Sequence, residues 1–401
     1  MRLRVRLGIF FVTGPVIAFT LVGGFLGQAV APDDVYRHLR IFEDVVARIS
    51  DFYVEKVELD DVMQGALRGL SNGLDSDSAY VSAEDVLRLE TGQPLPEGRL
   101  GVEVSSQYYL QIVAVRDGSP AARAGLLPGD YLRAIDDQTT RRVSAIEGER
   151  LLRGEPGSSV RLSLLRGNTS EPYDISLVRE SARGTAVTTR LLSTDVGYLR
   201  VPSFDTGIAD QIETAVSELA TRGATRLIVD VRSTAGGSYE EGIAASRLFV
   251  ASGTLLRRAE HGDQQITIEA TAGSAAIDLP LVVLIDVGTA HAAELFAAGL
   301  HGHGRADMIG QRSAGRVSLQ RLVKLPDGTG LWLSWARYLH GSGDPIHRTG
   351  VEPLVQVAVP VVELGEPLPA GDAILERALE HLRMRVASRD RRVAQLVRAP
   401  A

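Results

Sequence analysis

The stretch RLIVDVRSTAGGSYEEGIAASRLFV, residues 226–250, decides the fold class. It opens as a strand, Arg226–Val231, turns through Gly236-Gly237 and continues as a helix over Glu240–Val250. The same alternation extends to both sides. Upstream, a strand at Val196–Val201 leads into a helix at Ile208–Thr221. Downstream, a strand at Leu281–Ile285 leads into a helix at Ala290–Leu300, and a further strand precedes Gly310. Strands alternating with helices predict an α/β layer with a mostly parallel sheet. Residues 314–358 read as a β-rich return, and Asp372–Val386 as an amphipathic helix ahead of an arginine-rich tail.

Before this core the texture differs. From Gly98 to about Glu180 short β runs succeed one another: Leu100–Val104, Leu110–Val115, Tyr131–Ile135, Val160–Leu165 and Tyr173–Val178. Among them lies Gly118-Ser119-Pro120-Ala121-Ala122-Arg123-Ala124-Gly125-Leu126-Leu127-Pro128-Gly129-Asp130, in which Pro120 can start a short helix and Gly125 and Gly129 can end it. A second helix covers Ser144–Leu152. The segment resembles a bacterial-type PDZ domain. Such domains bind peptide C-termini by strand addition, with backbone amides holding the terminal carboxylate. The resemblance implies that Leu100, Gly101 and Val102 form the carboxylate loop and receiving strand, facing a groove near Ile146 and Arg150.

Residues 33–90 read as helices. Tyr36, Leu39, Phe42, Val46, Ile49 and Tyr53 form one apolar stripe, and a second helix after Asp60 is broken at Asn72-Gly73. Asp75-Ser76-Asp77 reads as a helix-ending turn, and residues 91–96 as a linker. At the N-terminus Arg2, Arg4 and Arg6 precede an uncharged run from Leu7 to Ala31, longer than the roughly 20 residues that span a bilayer. The basic flank predicts an inside start and an outward chain. The run is therefore expected to be a signal anchor, or a signal peptide cut after Ala29-Val30-Ala31 despite Pro32.

Composition bounds the chemistry. The 401 residues are 44% hydrophobic and 23% charged, enough to build two or three cores. The absence of cysteine excludes a thiol nucleophile, disulfides and Cys-ligated metal. A net charge of -7 argues against nucleic acid as a partner. Of the 43 basic residues only Lys56 and Lys324 are lysine, leaving 41 arginines that stay protonated.

The core motifs run Gly197-Tyr198-Leu199-Arg200…Ser203-Phe204, Asp230-Val231-Arg232…Gly236-Gly237, Val283–Glu294, Gly304-Arg305-Ala306, Gly310-Gln311-Arg312…Gly315-Arg316-Val317-Ser318-Leu319-Gln320 and Tyr338…Gly350-Val351-Glu352-Pro353. Leu74-Asp75…Ser78-Ala79-Tyr80 and the PDZ-like segment precede them. In this order the series resembles the carboxy-terminal processing proteases. The resemblance implies a signal segment over 1–31, an N-terminal helical region over 32–97, a PDZ domain over 98–182, a protease-like α/β core over 183–371, and a C-terminal helix with a basic tail over 372–401.

It also implies a site. The family uses a serine nucleophile at a helix N-terminus and a lysine base, within a pattern ending Ala-Ser-Ala-Ser-Glu. This chain reads Gly288-Thr289-Ala290-His291-Ala292-Ala293-Glu294, so His291 stands at the nucleophile position. Arg316 stands at the lysine position, while Gln320, which in the family orients the lysine, is retained. Gly236, Gly237 and Ala292 fall at the oxyanion-hole positions. His291 has no hydroxyl and Arg316 does not release its proton, so acyl transfer by the family route is lost.

The expectation is a pseudoprotease of the cell envelope, held at or secreted across the inner membrane, that binds polypeptide C-termini or envelope proteins. Two alternatives stand beside it: an active serine-type endopeptidase with an atypical site, and a scaffold with a vestigial PDZ. His291 could serve as a base for Thr289, Ser313 or Ser318, or join Glu294 with His301 or His303 around a metal. His303 is better read as a surface residue, Ser238 as a helix cap and Lys324 as a strand residue. No metal and no cofactor are expected. The sequence leaves the oligomeric state open.

Overall fold

The computed structural model describes residues 33–169, 171–181, 186–262, 264–271, 277–367, 369 and 371–384. The uncharged run Leu7–Ala31 and the arginine-rich tail lie outside the described residues. Among those described, no helix is long and apolar enough to cross a membrane. The described residues divide into two compact units, one ending at Leu67 and one beginning at Arg68. In the first, helix Asp33–Phe52 carries the expected stripe, with Tyr36 and Leu39 about half exposed. Helix Leu59–Asn72 then runs on to the start of the second unit.

The second unit holds three sheets. Its centre is the predicted parallel layer, ordered 355–356, Ala306–Gly310, Leu281–Ile285, Arg226–Asp230, Val196–Arg200 and Thr188–Leu191, with only the last strand antiparallel. Every residue of Leu281–Ile285 is buried, because the strand has a covered face on each side. Leu281, Val283 and Ile285 pack into the main core with helices Ile208–Thr221, Tyr239–Arg247 and His291–Gly302. Val282 and Leu284 face the other way, against Ile374, Ala378 and Leu382 of a helix over 373–384. This two-sided cover is what a parallel sheet requires.

The PDZ sheet is antiparallel, ordered Val102–Ser106, Leu110–Val115, Tyr131–Ile135, Ser159–Leu165 and Tyr173–Val178. Its first strand starts two residues later than the expected Leu100–Val104. Leu100 and Gly101 are drawn into a loop, where their carbonyls accept from Ala121 N at 3.1 Å and Arg116 N at 2.8 Å. A third, antiparallel sheet joins Ala79–Val81, Thr254–Glu260, Gln265–Glu269, Ser318–Lys324 and Gly330–His340. It brings the segment after the N-terminal helices alongside the β-rich return.

Candidate active site

Helix His291–Gly302 follows directly from the buried strand Leu281–Ile285, so its N-terminus opens at the carboxyl edge of the parallel sheet. Ala290 is the helix cap, and its N–H donates to Thr234 O at 3.0 Å. His291 adopts φ 51°, a left-handed conformation that costs about 1–3 kcal/mol for a residue with a side chain. Its backbone N–H donates to the Arg316 carbonyl at 3.1 Å, and its Nδ1 lies 3.1 Å from the Ala235 carbonyl. A carbonyl can only accept, so Nδ1 carries the ring proton and Nε2 keeps a lone pair. Burial, with the Arg316 charge beside it, lowers the imidazole below its ordinary range, and the ring is neutral at pH 7.

The turn beside this ring is the predicted Gly236-Gly237. A Cβ on Gly237, at φ 101°, would stand 2.0 Å from the Phe204 carbonyl carbon, so no other residue fits there. Helix Tyr239–Arg247 then starts at Ser238, whose side chain accepts from Glu241 N; Ser238 is a cap, as expected. Gly242 of that helix packs against the Ala292 carbonyl, with only 2.4 Å for an added Cβ. His291, Ala292, Gly236 and Gly237 therefore belong to one locality, and Arg316 reaches it through both its carbonyl and its charge.

The Arg316 side chain is close enough to act on the His291 ring, but it is tied to the turn at residues 75–77. Its guanidinium forms an ion pair with Asp77 and donates to Ser76 Oγ at 3.1 Å; the two charged side chains are 11% and 10% exposed. Ser318 Oγ donates to the other Asp77 oxygen at 2.9 Å, and Gln320 Nε2 donates to Ser318 Oγ at 2.8 Å. Gln320 thus acts on Ser318 and, through it, on Asp77, rather than on the side chain at position 316. The turn Asp75-Ser76-Asp77 is present as read, with Asp75 accepting from Asp77 N and Ser78 N. Its place in the site is new. Asp77 and Arg316 are 239 residues apart, and neither residue type signals the other across that distance.

Glu294, weighed in the sequence only beside a metal, has a different part here. It is fully buried and accepts from Ser313 Oγ, Gly315 N at 2.6 Å and Arg316 N at 2.7 Å, fixing the turn that carries Arg316. The Tyr239 ring meets His291 edge-on, and its hydroxyl donates to the Ser318 carbonyl at 2.9 Å.

The hydroxyls considered as partners for His291 are engaged elsewhere. Thr289 donates to Val231 O at 3.0 Å, Ser313 to Glu294, and Ser318 to Asp77. The metal grouping is not assembled either. His301 lies 6.0 Å from the His340 ring at a 60° tilt, His303 Nε2 meets Thr254 O at 2.9 Å, and no described group of three or more His, Asp or Glu is placed to hold an ion. Lys324 lies in strand Ser318–Lys324, paired with Glu90.

The four expected peptide-binding residues do converge. Leu100, Gly101, Val102 and Ile146 line one cavity of about 160 Å³ between edge strand Val102–Ser106 and helix Ala145–Leu152. Arg99 and Arg153 also reach it. Its far wall is formed by Ser233, Ala235 and Gly236 of the core, so the PDZ groove and the His291 turn share Ala235. The domains are joined there by Ser233, whose Oγ accepts from Val115 N at 2.9 Å and lies 3.1 Å from Val115 O.

Known proteins match this arrangement. The peptidase family S41 pattern covers residues 195–357, and a PDZ domain pattern covers 111–166. The carboxy-terminal-processing protease of Bartonella bacilliformis is 28% identical over 368 residues, spanning 90% of this chain and 84% of that protein. The carboxy-terminal processing protease CtpA of Bacillus subtilis is 29% identical over 314 residues, spanning 78% and 67%. The carboxyl-terminal-processing protease of Synechocystis is 32% identical over 277 residues, spanning 68% and 65%. Among solved structures, the photosystem II D1 C-terminal processing protease aligns with a TM-score of 0.67 at 24% identity, over 79% of this chain and 92% of that one. That likeness speaks to the fold. The chain therefore carries a peptidase family S41 core and a PDZ domain, and the relatives it matches are carboxy-terminal processing proteases.

Proposed function

We propose that this chain is a proteolytically silent member of its family that binds polypeptide C-termini through its PDZ groove. The observation that carries the reading is the pair at the site. A neutral imidazole stands at the helix N-terminus where the family has a hydroxyl, and the guanidinium at the base position is tied to Asp77. Neither group can form an acyl-enzyme by the family route, because one lacks the nucleophilic oxygen and the other keeps its proton. What remains is a groove beside edge strand Val102–Ser106, lined by Leu100 and Ile146 and by three arginines, Arg99, Arg116 and Arg153, against two glutamates, Glu103 and Glu149. That combination suits an extended chain ending in a carboxylate.

The relatives are named for processing carboxy termini, which makes polypeptide ends the natural ligand class. In this reading the protein belongs to the bacterial envelope, anchored in or secreted across the inner membrane, and the basic N-terminal flank with its uncharged run is the feature that supports it. There it would guard or deliver protein ends.

Two measurements on the full-length protein test the proposal. A fluorophosphonate probe is expected to leave it unlabelled, and covalent labelling would establish the active-peptidase alternative. Immobilised peptides with free C-termini are expected to bind and to lose binding on amidation. Absence of binding to any free-ended peptide would favour the scaffold alternative.

A further inference from the structure

We propose that Asp77 is a third residue on which the silence of the site depends. Its carboxylate holds any basic side chain at position 316 in the charged state, so restoring the family's serine and lysine does not by itself rebuild a base. This rests on the silent reading above, but concerns a property of position 316 that can be measured without catalysis.

The geometry supports it at three levels. The Arg316–Asp77 pair is nearly enclosed, and attraction between charges so placed is screened far less than at a surface. The carboxylate is also held in position. Asp77 N donates to Asp75 Oδ1 at 2.9 Å, Ser318 Oγ donates to Asp77 Oδ2 at 2.9 Å, and Gln320 steadies that serine. Finally, Arg316 is anchored towards this acid at some expense. Its Nε is buried without a hydrogen-bond partner, while its terminal nitrogens bond Asp77 and Ser76.

A lysine at 316 would carry a flexible ammonium into the same enclosure. An opposite charge in contact raises the pKa of a base by about 1–3 units, whereas a lysine base must lose its proton near neutral pH. Gln320 then takes a different part from that of its family counterpart: it is a positioning residue for the acid that opposes the base. Other groups also act on position 316. Ionised Glu294 favours positive charge there, and any protonated fraction of His291 and His347 acts against it. These three residues are the same in every variant compared.

The chain's composition makes the test practical. With only Lys56 and Lys324 present, a lysine introduced at 316 adds a third side-chain resonance to the spectrum of full-length protein labelled with 13C-lysine. In R316K that added resonance is expected to titrate at least about one pH unit higher than in R316K/D77N. R316K/D77S provides a second neutral variant in case the asparagine perturbs folding, and R316K/D77E is expected to retain the high titration. Equal titration in R316K and a folded neutral variant would overturn the proposal, as would a fall in D77E matching that in D77N. Probe labelling of the unmodified protein, by contrast, would sink the silent reading and leave the Asp77 effect standing.

Discussion

Glu294 has opposing demands placed on one carboxyl group. Burial raises it to about 7, while the hydrogen bonds from Ser313, Gly315 and Arg316 pull the other way. Its folded value stands above its unfolded one. Its proton-linked contribution is therefore fully present below the usual carboxylate range and lost as pH rises through about 7. Relative to E294Q, the unmodified protein is expected to lose roughly 3 kcal/mol between about pH 4 and pH 8. Urea denaturation of both proteins at the two pH values measures this; parallel curves at both would show that Glu294 does not titrate across the range. A second residue-scale expectation concerns reconstruction. H291S/R316K should cleave an unstructured substrate at least about tenfold more slowly at pH 8 than H291S/R316K/D77N, a one-unit difference in the lysine. Equal measurable rates would show that Asp77 does not limit the rebuilt site.

At the scale of elements, the site depends on two helices meeting at small residues. Gly242 of helix Tyr239–Arg247 faces the Ala292 carbonyl, and Gly299 of helix His291–Gly302 faces Ser246. Gly242→Ala would put a methyl 2.4 Å from that carbonyl oxygen and force the helices apart. The expected loss is about 1–3 kcal/mol, read from the urea midpoint, and an unchanged midpoint would mean that the helices separate freely. Much of this layer was legible. Leu281–Ile285, Ile208–Thr221 and Arg226–Asp230 lie where the apolar pattern puts them, because strands covered on both faces cannot tolerate polar interruptions. The ends were less legible. The expected helix to Val250 stops at Arg247, and the first PDZ strand is displaced by the Leu100-Gly101 loop. Those limits are set by hydrogen bonds to distant segments, which local periodicity does not contain. His291, Arg316 and the two oxyanion glycines could be found from motif order; Asp77, Ser233 and the bonds of Glu294 could not, since each is defined by its partner.

At the scale of the whole second unit, residues 230–237 are where its parts are tied together. Ser233 bonds the PDZ strand at Val115, Ala235 holds the His291 ring, and Arg232 reaches Asp372 at the start of the C-terminal helix through two bonds of 2.8 Å. Arg232 also pairs with Asp230, a 2% exposed carboxylate that accepts from Tyr198 OH at 2.8 Å. Removing one member of a buried pair leaves the other charge uncompensated and typically costs about 3–5 kcal/mol. Arg200, 4.0 Å from Asp230, offsets part of that loss, so Arg232→Met is expected to cost about 2–3 kcal/mol, towards the low end. The effect should also be directional. Asp372 loses its partner while Asp230 keeps two, so amide exchange should quicken over 373–384 more than in strand Arg226–Asp230. Adding S233A, which frees the PDZ side of the same loop, should quicken exchange in Leu110–Val115. Because the two side chains share one short segment, the combined loss should differ from the sum of the single losses by more than about 0.5 kcal/mol. Strict additivity, with exchange unchanged over 373–384 in R232M, would mean that the loop is rigid by itself and that the PDZ domain and C-terminal helix are attached to it independently.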